Sequence, residues 1–80
     1  MKTEYKYFEL VKTSGTLKTD VYNIVGKRNE FILGRIKWYG PWRQYCLHSI
    51  SGIVLNTGCL TDIQHFIKQL MDERKDNKHG

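Results

Sequence analysis

Residues 31–50 read FILGRIKWYGPWRQYCLHSI, and they decide the fold. β-Branched and aromatic residues crowd both halves, no helical apolar stripe passes through them, and Gly40-Pro41 divides them. The pattern predicts a β-hairpin. With Gly40 and Pro41 as the two central residues, glycine supplies the positive φ of a type II′ turn and proline's fixed φ suits the next position. Tyr39 then pairs with Trp42.

Side chains alternate across a strand, so that pairing sorts them into two faces. Leu33, Arg35, Lys37 and Tyr39 share one with Trp42, Gln44, Cys46 and His48. Ile32, Gly34, Ile36 and Trp38 share the other with Arg43, Tyr45, Leu47 and Ser49. The first face is aromatic and basic; the second is mostly apolar and is expected to be core. A turn one residue longer or shorter would mix the sets. Arg43, on the core side by this parity, must lie at the sheet's end or find a partner.

Working outward, residues 4–13 and 16–25 read as two further strands separated by a turn at Ser14-Gly15. The first has Tyr5, Tyr7 and Val11 on one side and Phe8 and Leu10 on the other. The hairpin strands are expected over 31–39 and 42–50, and a short fifth strand over 53–55. Leu60, Ile63, Phe66, Ile67, Leu70 and Met71 recur at spacings of three and four, which predicts a helix over about 58–74 with a frayed tail over 76–80. Asn56 can cap its start, or Thr61 with Gln64 can form a capping box. Arg74 and Lys75 suit the negative end of the helix dipole. A one-faced helix after antiparallel strands must lie on the sheet. The expected fold is one α+β domain over residues 1–80: an antiparallel β-meander of four to five strands with a C-terminal helix packed on one face. A free edge strand would offer a route to a homodimer.

Thirteen Lys and Arg against eight Asp and Glu give a net charge of +5. The helix is nearly balanced, so the surplus belongs to the β region, where Lys27, Arg28, Arg35, Lys37 and Arg43 face only Glu30 around the hairpin. Such a field favours acidic partners. No secretory signal opens the chain and no run approaches the ~20 apolar residues of a membrane span, so the expected location is cytoplasmic. Two cysteines are too few for a secreted disulfide scaffold.

Cys46-x-His48 on one strand face, with Cys59 and His65, would supply four metal ligands, but the spacing matches no zinc module. A cysteine beside a histidine could also make a nucleophile, yet no carboxylate pair, GxSxG elbow or phosphate-cradling loop accompanies it. Neither a cofactor, a metal nor an enzymatic activity is expected.

The segments Trp38–Tyr45 (WYGPWRQY) and Cys59–Leu70 (CLTDIQHFIKQL) resemble a group of small uncharacterised proteins of bacteria, archaea and their viruses. These share a WYGPWRQY-type hairpin ahead of a CLxDIxxFIxxL-type helix. The likeness spans Ile32 to Leu70 and implies a shared fold and a non-catalytic role, with no activity to carry over.

The expectation is therefore a binding module that uses Arg35, Lys37, Tyr39, Trp42, Arg43, Gln44 and His48 toward a macromolecular partner. Protein is the first choice, because Trp, Tyr and Arg dominate interface hot spots. The alternative is single-stranded nucleic acid, with bases stacking on the rings and phosphates on the cations.

Overall fold

In a computed structural model that describes residues 1–13, 19–28 and 30–77, the chain forms a sheet covered on one side by a long helix. The strands are β1 (Phe8–Lys12), β2 (Tyr22–Gly26), β3 (Ile32–Tyr39) and β4 (Gln44–Ser49), and the helix is α1 (Thr57–Asn77). The sheet order is β1-β2-β3-β4, every neighbour antiparallel, so the fold is the α+β meander that the sequence predicts.

The core lies between sheet and helix. Phe8, Ile24, Ile36 and Phe66 are its fully buried side chains. Phe66 meets the Tyr22 ring edge-on at 4.9 Å between centroids, a contact that adds about 0.5–1.5 kcal/mol to area burial. The helix buries Cys59, Ile63, Phe66 and Leu70, with Ile67 and Met71 partly covered. Leu60, expected in this stripe, is 51% exposed. Cys59 takes its place, because it precedes Ile63 by four and Phe66 by seven and so falls in the middle of the buried stripe, with Leu60 one residue round to its flank. The helix cap is Asn56, whose side-chain Oδ1 accepts the Cys59 N–H at 2.8 Å. Thr61 is not a cap; its hydroxyl donates back to the Thr57 carbonyl inside the helix.

Several expected boundaries move. The strand expected over 4–13 is a hook followed by β1. Glu4 bridges Glu9, the Tyr5 N–H bonds the Phe8 carbonyl, and the Leu10 N–H bonds the Thr3 carbonyl. The reversal turns Tyr5 into the core, on the side of Phe8 and Leu10 and opposite the exposed Tyr7 and Val11. Lys2 and Gln69 then exchange two hydrogen bonds, at 2.9 and 2.8 Å, that tie the hook to the helix. The hook also covers the outer edge of β1. Of the strand expected over 16–25, β2 keeps the second half; its first residues and the Ser14-Gly15 turn lie outside the described residues. Residues 53–55 are no strand: Val54 is 94% exposed and no ladder forms; after the turn at Gly52 they lead irregularly to the start of α1 at Thr57. The helix continues past 74 to Asn77, and residues 78–80 of the expected tail lie outside the described set.

A bulge overturns one expected face. Ile24 pairs with Gly34 but Val25 pairs with Ile32, leaving Leu33 as the extra residue. Leu33 therefore packs against the core and Ile32 is exposed, the reverse of strict alternation.

Beside the bulge, β3 and β4 approach closely at Gly34. A methyl group there would sit 2.9 Å from the His48 carbonyl oxygen and 3.2 Å from the Ser49 Cα, both backbone atoms that cannot step aside. Gly34→Ala is expected to destabilise the fold by about 1–3 kcal/mol, lowering the thermal midpoint by several degrees in a circular-dichroism melt. An unchanged midpoint would contradict this packing.

Candidate functional site

The hairpin reverses through four residues rather than two. Gly40–Trp42 form a 3-10 turn with Pro41 in its first positions, and Arg43 closes it in the left-handed region at φ 52°, ψ 46°. The Arg43 N–H bonds the Gly40 carbonyl at 3.1 Å. The type II′ turn is thus replaced, and Arg43 rather than Gly40 carries the positive φ. Proline's φ fits the turn's first positions, so glycine is not called on for an unusual conformation. Tyr39 pairs with Gln44, Lys37 with Cys46 and Arg35 with His48, each partner two residues beyond the expected one. A shift of two preserves parity, so the faces of β4 and of β3 from Gly34 onward survive while Trp42 and Arg43 leave β4 for the turn.

α1 covers only the face of Ile36, Trp38, Tyr45 and Leu47. The opposite face has no covering element among the described residues. Across its middle runs the row Val11, Asn23, Arg35 and His48, followed toward the turn by Lys37 with Cys46 and Tyr39 with Gln44. Arg35 donates its Nε–H to Asn23 Oδ1 at 3.1 Å. Neither Arg35 nor Lys37 has a carboxylate partner; the ion pairs among the described residues are Lys12–Asp20 and Lys27–Glu4. The Lys27 ammonium, hydrogen-bonded to Glu4, holds that exposed carboxyl below its usual pKa.

Three rings close this face at the turn. Tyr39 lies edge-on to Trp42 at 5.1 Å and to His48 at 6.0 Å. Trp42 is 67% exposed. His48 Nε2 is shielded and has no hydrogen-bond partner among the described residues. Of the residues singled out from sequence, Arg35, Lys37, Tyr39, Trp42, Gln44 and His48 form one continuous surface.

Arg43 does not join them. It lines a cleft of about 630 Å³ on the helix side, between the turn and the end of α1, with Trp38, Met71, Asp72, Arg74 and Lys75. The Arg74 guanidinium stacks 4.1 Å over the Trp38 ring, and Tyr45 meets Trp38 edge-on at 5.5 Å. The sequence reading missed this grouping. Its signal was spacing: Arg74 follows Leu70 by four and Phe66 by eight, continuing the buried stripe past the last apolar position.

The four residues considered for metal do not converge. Cys46 and His48 lie on the open face, Cys59 is in the core, and His65 Nδ1 is 2.9 Å from the Tyr5 hydroxyl. Both cysteines are free, and Cys46 Sγ–H points to the Gln44 carbonyl at 3.7 Å. No helix among the described residues is long and apolar enough to cross a membrane.

The chain is 47% identical over 73 residues to an uncharacterised 9.3 kDa protein of Acholeplasma phage L2, covering 91% of this chain and 92% of the phage protein. It belongs to that phage protein's family. A match of this length reaches well beyond residues 32–70, to which the sequence resemblance was confined, and into the first strands. No family model and no solved structure matches the chain.

The environment of His48 has a measurable consequence. Burial first, and the Lys37 charge second, lower its pKa below the ordinary 6.5, against a backbone hydrogen bond at Lys37 that works the other way. The folded chain therefore takes up this proton less readily than the unfolded chain, and its stability is expected to fall as pH drops below about 6.5. The thermal midpoint should decline between about pH 7.5 and about pH 5.5, and decline less in His48→Asn. Equal declines in both proteins would contradict the assignment.

Proposed function

We propose that this protein is a non-enzymatic docking module that binds a protein partner through the open sheet face and hairpin tip. The observation that carries the reading is Trp42. Its large ring is mostly in solvent, yet it sits on a turn whose proline and internal hydrogen bond restrict it and against Tyr39. A rigid, exposed indole gives an anchor that loses little conformational entropy on binding. Around it, Arg35 and Lys37 have no carboxylate partner among the described residues and supply cations toward an acidic surface. The Tyr39 ring meets Trp42 at 84° and His48 at 65° between planes, a tilted set that favours insertion into a partner's pockets over a flat platform for successive bases. Kinship with a small phage protein is consistent with an origin in a virus or mobile element, where occupying a host protein's surface is a common task.

Capture of partners from a host extract, followed by affinity measurement with the purified partner, tests the reading. Trp42→Ala is expected to weaken binding by at least about 2 kcal/mol, roughly 30-fold, while the melting curve stays near that of the parent. Partner binding should tolerate salt. Binding by Trp42→Ala equal to the parent's would remove the tip from the site. A labelled single-stranded oligonucleotide whose binding falls steeply with salt, and is lost in Arg35→Ala with Lys37→Ala, would replace the protein partner by nucleic acid.

A further inference from the structure

We infer that the cleft between the hairpin tip and the last turns of α1 seats an acidic segment of the partner polypeptide, its carboxylates held by Arg43, Arg74 and Lys75. This rests on the docking reading and adds a second contact around the edge of the tip.

The cleft, at about 630 Å³, falls within the roughly 300–1,000 Å³ range of ligand sites. Its apolar part is Trp38 and Met71. Its charged part is three cations and Asp72, and none of the four is paired within ion-pair distance among the described residues. The Arg74 guanidinium is held over the Trp38 ring, 4.1 Å from its centroid, and no carboxylate among the described residues pairs with it, so its N–H donors can make a forked contact with an incoming carboxylate. Arg43 sharpens the case. A non-glycine residue in the left-handed region costs about 1–2 kcal/mol, and glycine would hold the turn without that cost. The arginine side chain is thus not there for the turn.

Two features separate a peptide from a nucleic-acid strand. Arg74 lies over the Trp38 ring and Tyr45 stands roughly perpendicular to it at 82°, so no base can stack where the guanidinium lies. Asp72 is an acceptor that a peptide N–H can satisfy, whereas a phosphodiester backbone has no donor to offer it.

The test uses the Trp42→Phe protein, in which Trp38 is the sole tryptophan. A pentapeptide of four glutamates around a central phenylalanine is titrated at about 150 mM salt, while Trp38 emission is followed. A saturable change is expected, absent with the glutamine version of the peptide. Arg43→Gly and Lys75→Gln should each weaken it by roughly tenfold, with Arg43→Gly melting no lower than its parent. No saturable change, equal binding in both variants, or competition by decathymidylate or inorganic phosphate at least as strong as by the peptide would overturn the inference. If Trp42→Ala abolishes partner binding while the peptide leaves Trp38 unmoved, the cleft is excluded and the docking reading stands.

Discussion

The hydrogen bond from the Arg43 N–H to the Gly40 carbonyl closes a reversal of four residues, and the length of that reversal governs what the molecule offers to solvent. Strand side chains alternate with a period of two, so one residue more or less would turn every outward group of one strand into the core. At its actual length, Trp38 and Tyr45 pair beneath the helix. Lys37, Tyr39, Gln44 and His48 remain outside. The same reversal lifts Trp42 out of both strands and aims Arg43 toward α1, so one turn builds both the exposed anchor and the wall of the cleft.

The second constraint is the supply of apolar side chains. One helix can cover one face of a four-stranded sheet, and Cys59, Ile63, Phe66 and Leu70 do so. Nothing among the described residues is left to cover the other. That face must then be compatible with water alone, and cations, amides and ring edges meet the requirement while remaining available to a partner. The two edges differ as well. The hook of residues 3–5 occupies the outer side of β1 and is fastened by Lys2 and Gln69, whereas the outer edge of β4, with no Lys, Arg, Asp or Glu between Gln44 and Ser49, pairs with no strand among the described residues.

Much of this was legible before any coordinates, because it rests on periodicity. The helix stripe, the meander and the faces of Arg35, Lys37 and His48 follow from repeats of 3.6 and 2 that packing enforces. What failed depended on single residues acting against a pattern. Gly40-Pro41 has the composition of a two-residue turn, but Pro41 also suits a 3-10 start, and local sequence does not choose between them. The bulge at Leu33 obeys the contact between Gly34 and the β4 backbone, a pairing between residues fifteen apart in the register of the ladder. Tyr5 joined the core through a reversal with no glycine or proline to announce it. The cleft was hardest, since Arg43, Trp38 and Arg74 come to line one cleft only after the helix has docked.

Everything at the tip stands on the pairing across the reversal, and nuclear Overhauser contacts between α-protons report it in the unmodified protein. Close α-proton pairs occur where facing residues do not exchange hydrogen bonds, and the Ile50 N–H to Leu33 carbonyl bond places Trp38 with Tyr45 and Ile36 with Leu47 in that class. Strong contacts Trp38–Tyr45 and Ile36–Leu47 are the predicted result. A strong Ile36–Tyr45 contact in their place, the mark of a two-residue turn with Trp42 inside the strand, would contradict the account.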